Sequence, residues 1–169
     1  MEPPLDIPLA RPAAWPLFGP ALRIGLTGRL LWAVVGSGCL VVLTLAAWLP
    51  PDPRGFGTHE ALSGAWPCGF ILTTGLPCPT CGMTTAFSLL MHGRPLAAVV
   101  AQPAGAFLCL ATVCTLVLSI HVTATGRVPN VNWNRIGPVR LSLGLALLFL
   151  GGWGFKLAHG LLTGALPTK

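Results

Sequence analysis

LLWAVVGSGCLVVLTLAAWL, residues 30–49, lies in a charge-free run between Arg29 and Asp52. A helix needs about 20 mostly apolar residues to cross the hydrocarbon core of a bilayer. This stretch supplies them, with Trp32 and Trp48 placed for the two interfaces. Its apolar run is longer than that of a cleavable signal peptide, so it is expected to be kept as an anchor. Outward from it, residues 103–122 repeat the pattern. Gln102 reads as a polar N-cap and Pro103 suits a first helical turn. A third span is expected over 141–162, since Lys156 can extend its ammonium to the interface from within an otherwise apolar helix.

The whole composition agrees. Of 169 residues, 53% are apolar and 8% charged, against about 25% charged in soluble domains. Such a chain cannot build a water-facing surface, is too apolar for disorder, and is too thinly charged for a nucleic-acid binder. The net charge of +6 is scattered and bears on topology. Arg11, Arg23, Arg29, Arg127, Arg135 and Arg140 fall on one side of the three spans, and Arg54, Arg94, Lys156 and Lys169 on the other. The side with more arginine is expected to face the cytoplasm.

The expected fold is an all-α integral membrane protein with three transmembrane helices and one re-entrant or interfacial helix bearing cysteines. Along the chain this gives a Pro-rich cytoplasmic tail (1–29), the first span (30–49), an external loop (50–102), the second span (103–122), a basic cytoplasmic loop (123–140), the third span (141–162) and a short tail (163–169). The lipid bilayer is the expected partner, joined by a second copy or another membrane protein, because irregular backbone at membrane depth must be covered by protein or water. No nucleic-acid partner is expected.

The chemistry is concentrated in the external loop. Cys39, Cys109 and Cys114 lie in spans and read as small apolar packing residues. Cys68, Cys78 and Cys81 fall instead among prolines and glycines, as WPCG (66–69) and LPCPTCG (76–82). A Cys-x-x-Cys pair suits either a disulfide or a shared metal. In the redox reading Cys78 caps a helix running from Thr80 to about His92, whose dipole lowers its thiol pKa; Cys78 attacks, Cys81 resolves and Cys68 relays. In the metal reading Cys-Pro-x-Cys-Gly is a zinc-knuckle turn, with Gly82 at positive φ. Zinc wants a fourth ligand, for which His59 is the freer candidate. His92 lies about 16 Å away along the helix from Cys81. In the structural reading the cysteines merely fix the loop, as a disulfide on an oxidising face. Downstream, Met83, Ala86, Phe87, Leu90 and Met91 are expected to form an apolar face opposite Thr84, Thr85, Ser88 and His92.

Cys68, the run Gly75-Leu76-Pro77-Cys78-Pro79-Thr80-Cys81-Gly82-Met83-Thr84, Gly93 and the Gln102-Pro103 pair together resemble a family of small bacterial membrane proteins, domain of unknown function twenty-seven fifty-two. The resemblance spans about Cys68 to Val122. It departs at Thr84-Thr85, where the family usually has Thr-Arg, and at Gln102-Pro103, where Asn-Pro is usual. It implies a multi-pass protein of the bacterial inner membrane and carries no activity with it. The reading favoured by the sequence is a non-enzymatic membrane component with structurally used cysteines. The alternatives are a thiol-disulfide oxidoreductase working through Cys78 and Cys81, and a zinc site on Cys68, Cys78 and Cys81.

Overall fold

The computed structural model describes residues 18–55, 57–58, 68–131 and 137–163. In chain order these form β1 (Phe18–Arg23), α1 (Leu26–Trp48), α2 (Gly69–Thr74), α3 (Met83–Met91), α4 (Pro95–Ala101), α5 (Pro103–Thr125), β2 (Arg127–Val131) and α6 (Pro138–Thr163). The chain is mostly helical, and α1, α5 and α6 are each long and apolar enough to cross a membrane.

Two of the long helices begin a few residues before the charge-free windows, α1 at Leu26 and α6 at Pro138, and α5 runs on to Thr125. Arg29 lies inside the first turns of α1, where its Nε donates to Thr123 O at 2.8 Å and its Nη2 to Ala124 O at 3.1 Å. These are carbonyls left over at the C-terminal end of α5, so the guanidinium satisfies them while the helix runs on past it. The same contact sets α1 antiparallel to α5. Small residues let the two approach: a Cβ on Gly36 would come within 3.0 Å of Ser119 Cβ, and Ser119 Oγ donates to Trp32 O. Close backbone contact of this kind is how helices associate where no hydrophobic drive separates them from lipid.

Helix α3 occupies the middle. Its Phe87 packs with Leu43 and Ala46 of α1 and Cys109 of α5, while Ala86 and Leu89 pack with Ala98 and Ala101 of α4 and Ala106 of α5. The expectation for its faces is corrected here. Thr85 and Ser88 are fully buried, and Met91 is exposed. Hydrogen bonds decide this: Thr85 Oγ1 meets Thr58 Oγ1 at 2.8 Å, and Ser88 Oγ donates to Leu49 O. The polar stripe therefore faces the loop that leaves α1, since a satisfied hydroxyl can be buried at little cost.

At the other end of α1 and α5, β1 and β2 form a two-stranded antiparallel ribbon, with Leu22 opposite Val128 and Arg23 opposite Arg127. The sequence reading had no strand in these two segments. Antiparallel α1 and α5 bring their flanking segments together at one end, and the Ile24 amide closes on Gly126 O at 2.9 Å.

Candidate functional site

The loop after α1 turns through Asp52, whose carboxylate takes a bidentate ion pair from Arg54 at 2.7 Å. That side-chain bond holds the Asp52 carboxyl below its usual pKa. The Asp52 amide donates to Thr58 Oγ1, which ties the loop to α3 through Thr85. The Gly55 carbonyl is thereby presented to the interior of the site.

The second part comes from residues 68–82. Cys68 is the N-cap of α2, its carbonyl accepting the amides of Ile71 and Leu72. After α2 the chain turns through Cys78-Pro79-Thr80-Cys81, closed by Cys81 N to Cys78 O at 3.0 Å. Gly82 follows at φ +89° and is the N-cap of α3. The positive φ was expected of a zinc-knuckle turn. The N-cap was not: the redox reading put Cys78 there, with a helix from Thr80, whereas α3 starts only at Met83. The intervening turn, which ends in the left-handed region at Gly82, uses up the residues that a helix from Thr80 would need.

The three sulfurs converge. Cys68, Cys78 and Cys81 Sγ all lie within 4.8 Å of one another, and Cys78 and Cys81 Sγ are 3.1 Å apart. A cluster of this kind could hold a metal ion. Cys78 is half-buried and Cys81 buried. Burial opposes the Cys78 thiolate, yet hydrogen bonds from Thr80, at 3.2 Å, and from Cys81 and Cys68 outweigh it and bring that thiol down to about 7. Burial pushes the Cys81 thiol the other way, up to about 12, and its two sulfur neighbours add to the rise. His92 stands apart at the end of α3, with Nδ1 2.8 Å from Ser88 O. His59 lies outside the described residues.

The third part is α6, and sequence reasoning misplaced its role. Lys156 is not turned out to solvent: it is 8% exposed, and Nζ donates to Cys81 O at 2.9 Å and Gly55 O at 3.2 Å. The two carbonyls satisfy the ammonium inside the protein, so turning it out to water gains nothing. One turn earlier, Trp153 Nε1 donates to Pro77 O at 2.8 Å. Thr85, where the resemblance would place an arginine, bears no charge, and the cation near the sulfurs comes from α6. The signal in the sequence was a lone lysine in an apolar helix, which marks a functional group as readily as a snorkelling one.

Gln102 is the N-cap of α5, as expected, but its side chain makes no cap hydrogen bond: it is fully buried, and its Nε2 donates to Pro79 O at 2.8 Å, bracing the cysteine turn from the start of α5. Proline has already removed one amide from that first turn, which leaves the glutamine side chain for the neighbouring carbonyl.

The thiol asymmetry has a measurable consequence. In chelator-treated protein, alkylation of Cys78 by iodoacetamide should rise through about pH 7, while Cys81 should stay unreactive up to pH 9. The sign for stability follows. Cys78 loses its proton earlier folded than unfolded, so between about 7 and 9 it adds stability as pH rises, and that contribution is lost as pH falls through 7. Mass spectrometry of alkylated peptides across pH 5–9 checks this, and equal rates at the two positions would contradict it.

No curated protein and no solved structure matches the chain. Residues 68–117, from the first clustered cysteine to the middle of α5, match the model of the family described as Protein of unknown function (DUF2752), which bears out the resemblance carried by the cysteine box.

Proposed function

We propose that the chain is a non-enzymatic component of the bacterial inner membrane whose irregular segment is fixed by one zinc ion on Cys68, Cys78 and Cys81. The observation that carries this reading is the convergence of three sulfurs, from two separate stretches, within 4.8 Å. Zn–S bonds of about 2.3 Å on a tetrahedral ion set sulfurs about 3.8 Å apart, a spacing these side chains reach with small rotations. Charge supports the divalent ion. Three thiolates on zinc leave one net negative charge, and the Lys156 ammonium beside Cys81 balances it. His59 or a water completes the four positions. The exposed flank of α6 leaves room for a second copy or another membrane protein.

A second reading is favoured by the thiol asymmetry. An acidic, accessible Cys78 beside a buried, weakly acidic Cys81 suits thiol-disulfide exchange. There Cys78 thiolate attacks a substrate disulfide and releases one substrate thiolate. Cys81 then displaces the second, leaving a Cys78–Cys81 disulfide and a reduced substrate.

Metal analysis of the purified full-length protein separates the two. Zinc is expected at one per chain, and Cys68→Ser, Cys78→Ser and Cys81→Ser should each release it and destabilise the protein similarly, because binding energy at such a site is folding energy. Metal-free protein in which Cys81→Ser traps a mixed disulfide, while Cys68→Ser changes little, would replace the zinc reading with the redox one.

A further inference from the structure

Remote from the cysteines, a surface groove of about 450 Å³ runs along the seam where α1 and α5 meet near the β ribbon, lined by Trp32, Gly36, Leu40, Leu116, Ile120 and Thr123 among others. Its walls are almost wholly apolar. One polar atom in the lining has no partner: Thr123 Oγ1 is buried without a hydrogen bond, although Thr112, Thr115 and Thr125 on the same helix each donate to the carbonyl four residues back. A buried hydroxyl left in this state is unfavourable and is expected to be met by something outside the chain.

The end of the groove is strongly basic. Arg29 closes it by binding the Thr123 and Ala124 carbonyls, and both residues also line the groove. Immediately beyond, Arg23 and Arg127 are direct cross-strand partners, exposed, with their Cα atoms in register. Opposed strand residues have Cβ atoms about 5 Å apart, and like charges there destabilise a ribbon. The only acidic side chain among the described residues is Asp52, at the far end of α1 and paired with Arg54. An anion between the two arginines removes the repulsion, and guanidinium groups suit the oxygens of a phosphate.

We infer that this groove binds one anionic phospholipid, with its phosphate on Arg23 and Arg127 and an acyl chain along the apolar wall from Trp32 to Leu40. Charge complementarity selects the headgroup and the adjoining groove selects a lipid over a free phosphate. The ribbon end is also the one that the arginine count assigns to the cytoplasmic side, where anionic lipid is enriched. The inference is independent of the cysteine site.

Native mass spectrometry of the full-length protein, equilibrated with equal phosphatidylglycerol and phosphatidylcholine, tests it. Wild type should retain one phosphatidylglycerol per chain, preferred by about 10-fold or more. Arg23→Gln with Arg127→Gln should remove that preference, and Ile120→Trp, which fills the groove, should lower retention of both lipids. Excess glycerol 3-phosphate should not displace the lipid, since it has nothing to put in the groove. Equal retention of the two lipids by wild type overturns the proposal, and this comparison needs no variant to fold. So does a preference unchanged in the double arginine variant, or displacement by glycerol 3-phosphate.

Discussion

Gly82→Ala is expected to disrupt the cysteine segment more than a methyl added at any other described glycine. Two independent effects add. The backbone is at φ +89°, where a Cβ costs about 1–2 kcal/mol. The new carbon would also lie 2.7 Å from Gly55 O and in steric overlap with Lys156 Nζ. Neither neighbour can give way cheaply, since Gly55 O is backbone and Nζ is held by two carbonyls. Overpacking of this kind costs about 1–3 kcal/mol more. Each kcal/mol lowers the melting temperature of a chain this size by about 2–4 °C, so a fall of about 10 °C is expected. Thermal unfolding in detergent, followed by helix content, measures it. A fall under 2 °C would mean that the approach of loop, turn and α6 is looser than described.

Lys156→Leu is the second large effect, and its sign differs between two observables. Insertion of α6 should improve, because lysine in an apolar helix costs up to about 2.5–3.5 kcal/mol at the centre, and less at Lys156, seven residues from the end of α6, whereas leucine is slightly favourable. The site should weaken, because Cys81 O and Gly55 O lose their donor, each orphaned group costing about 1–3 kcal/mol, and because the charge on a zinc-thiolate centre is left unbalanced. Loss of a supporting group around a metal lowers its affinity about 10–100-fold. Zinc competition against a chelator, beside a membrane-insertion assay, reads both at once. Unchanged zinc affinity together with normal insertion would return Lys156 to the role of a surface anchor.

The three helices long and apolar enough to cross a membrane were legible because the rule behind them is one of length and charge. A run such as Leu30–Leu49 needs no knowledge of its neighbours to be recognised. The Cys78/Cys81 pair was legible for the same reason, since three residues of separation suffice to bring two sulfurs together. What failed depended on neighbours. Lys156 looked like a snorkelling residue until the Gly55 and Cys81 carbonyls stood opposite it, and Thr85 and Ser88 looked like a polar face set against the apolar one until the Thr58 hydroxyl paired with Thr85 and Leu49 O accepted from Ser88. The ribbon had no signal of its own: Phe18–Arg23 and Arg127–Val131 each contain a proline and lack alternation, and they pair because α1 and α5 place them together. Gln102 was legible as the N-cap of α5, but the partner of its side chain, Pro79 O, was not.

That Lys156 and Trp153 lie so late in the chain bears on the order of events at the ribosome. The Pro77 and Cys81 carbonyls, on either side of the cysteine turn, are synthesised roughly 75 residues before the α6 side chains that hold them. During that interval Pro77 O and Cys81 O must be satisfied by water or by other proteins, and three thiols stand close together with no ammonium beside them. The turn therefore matures only when the last helix arrives, so a nascent chain stalled before α6 exposes its most reactive sulfur chemistry to whatever oxidant or metal the cell presents first.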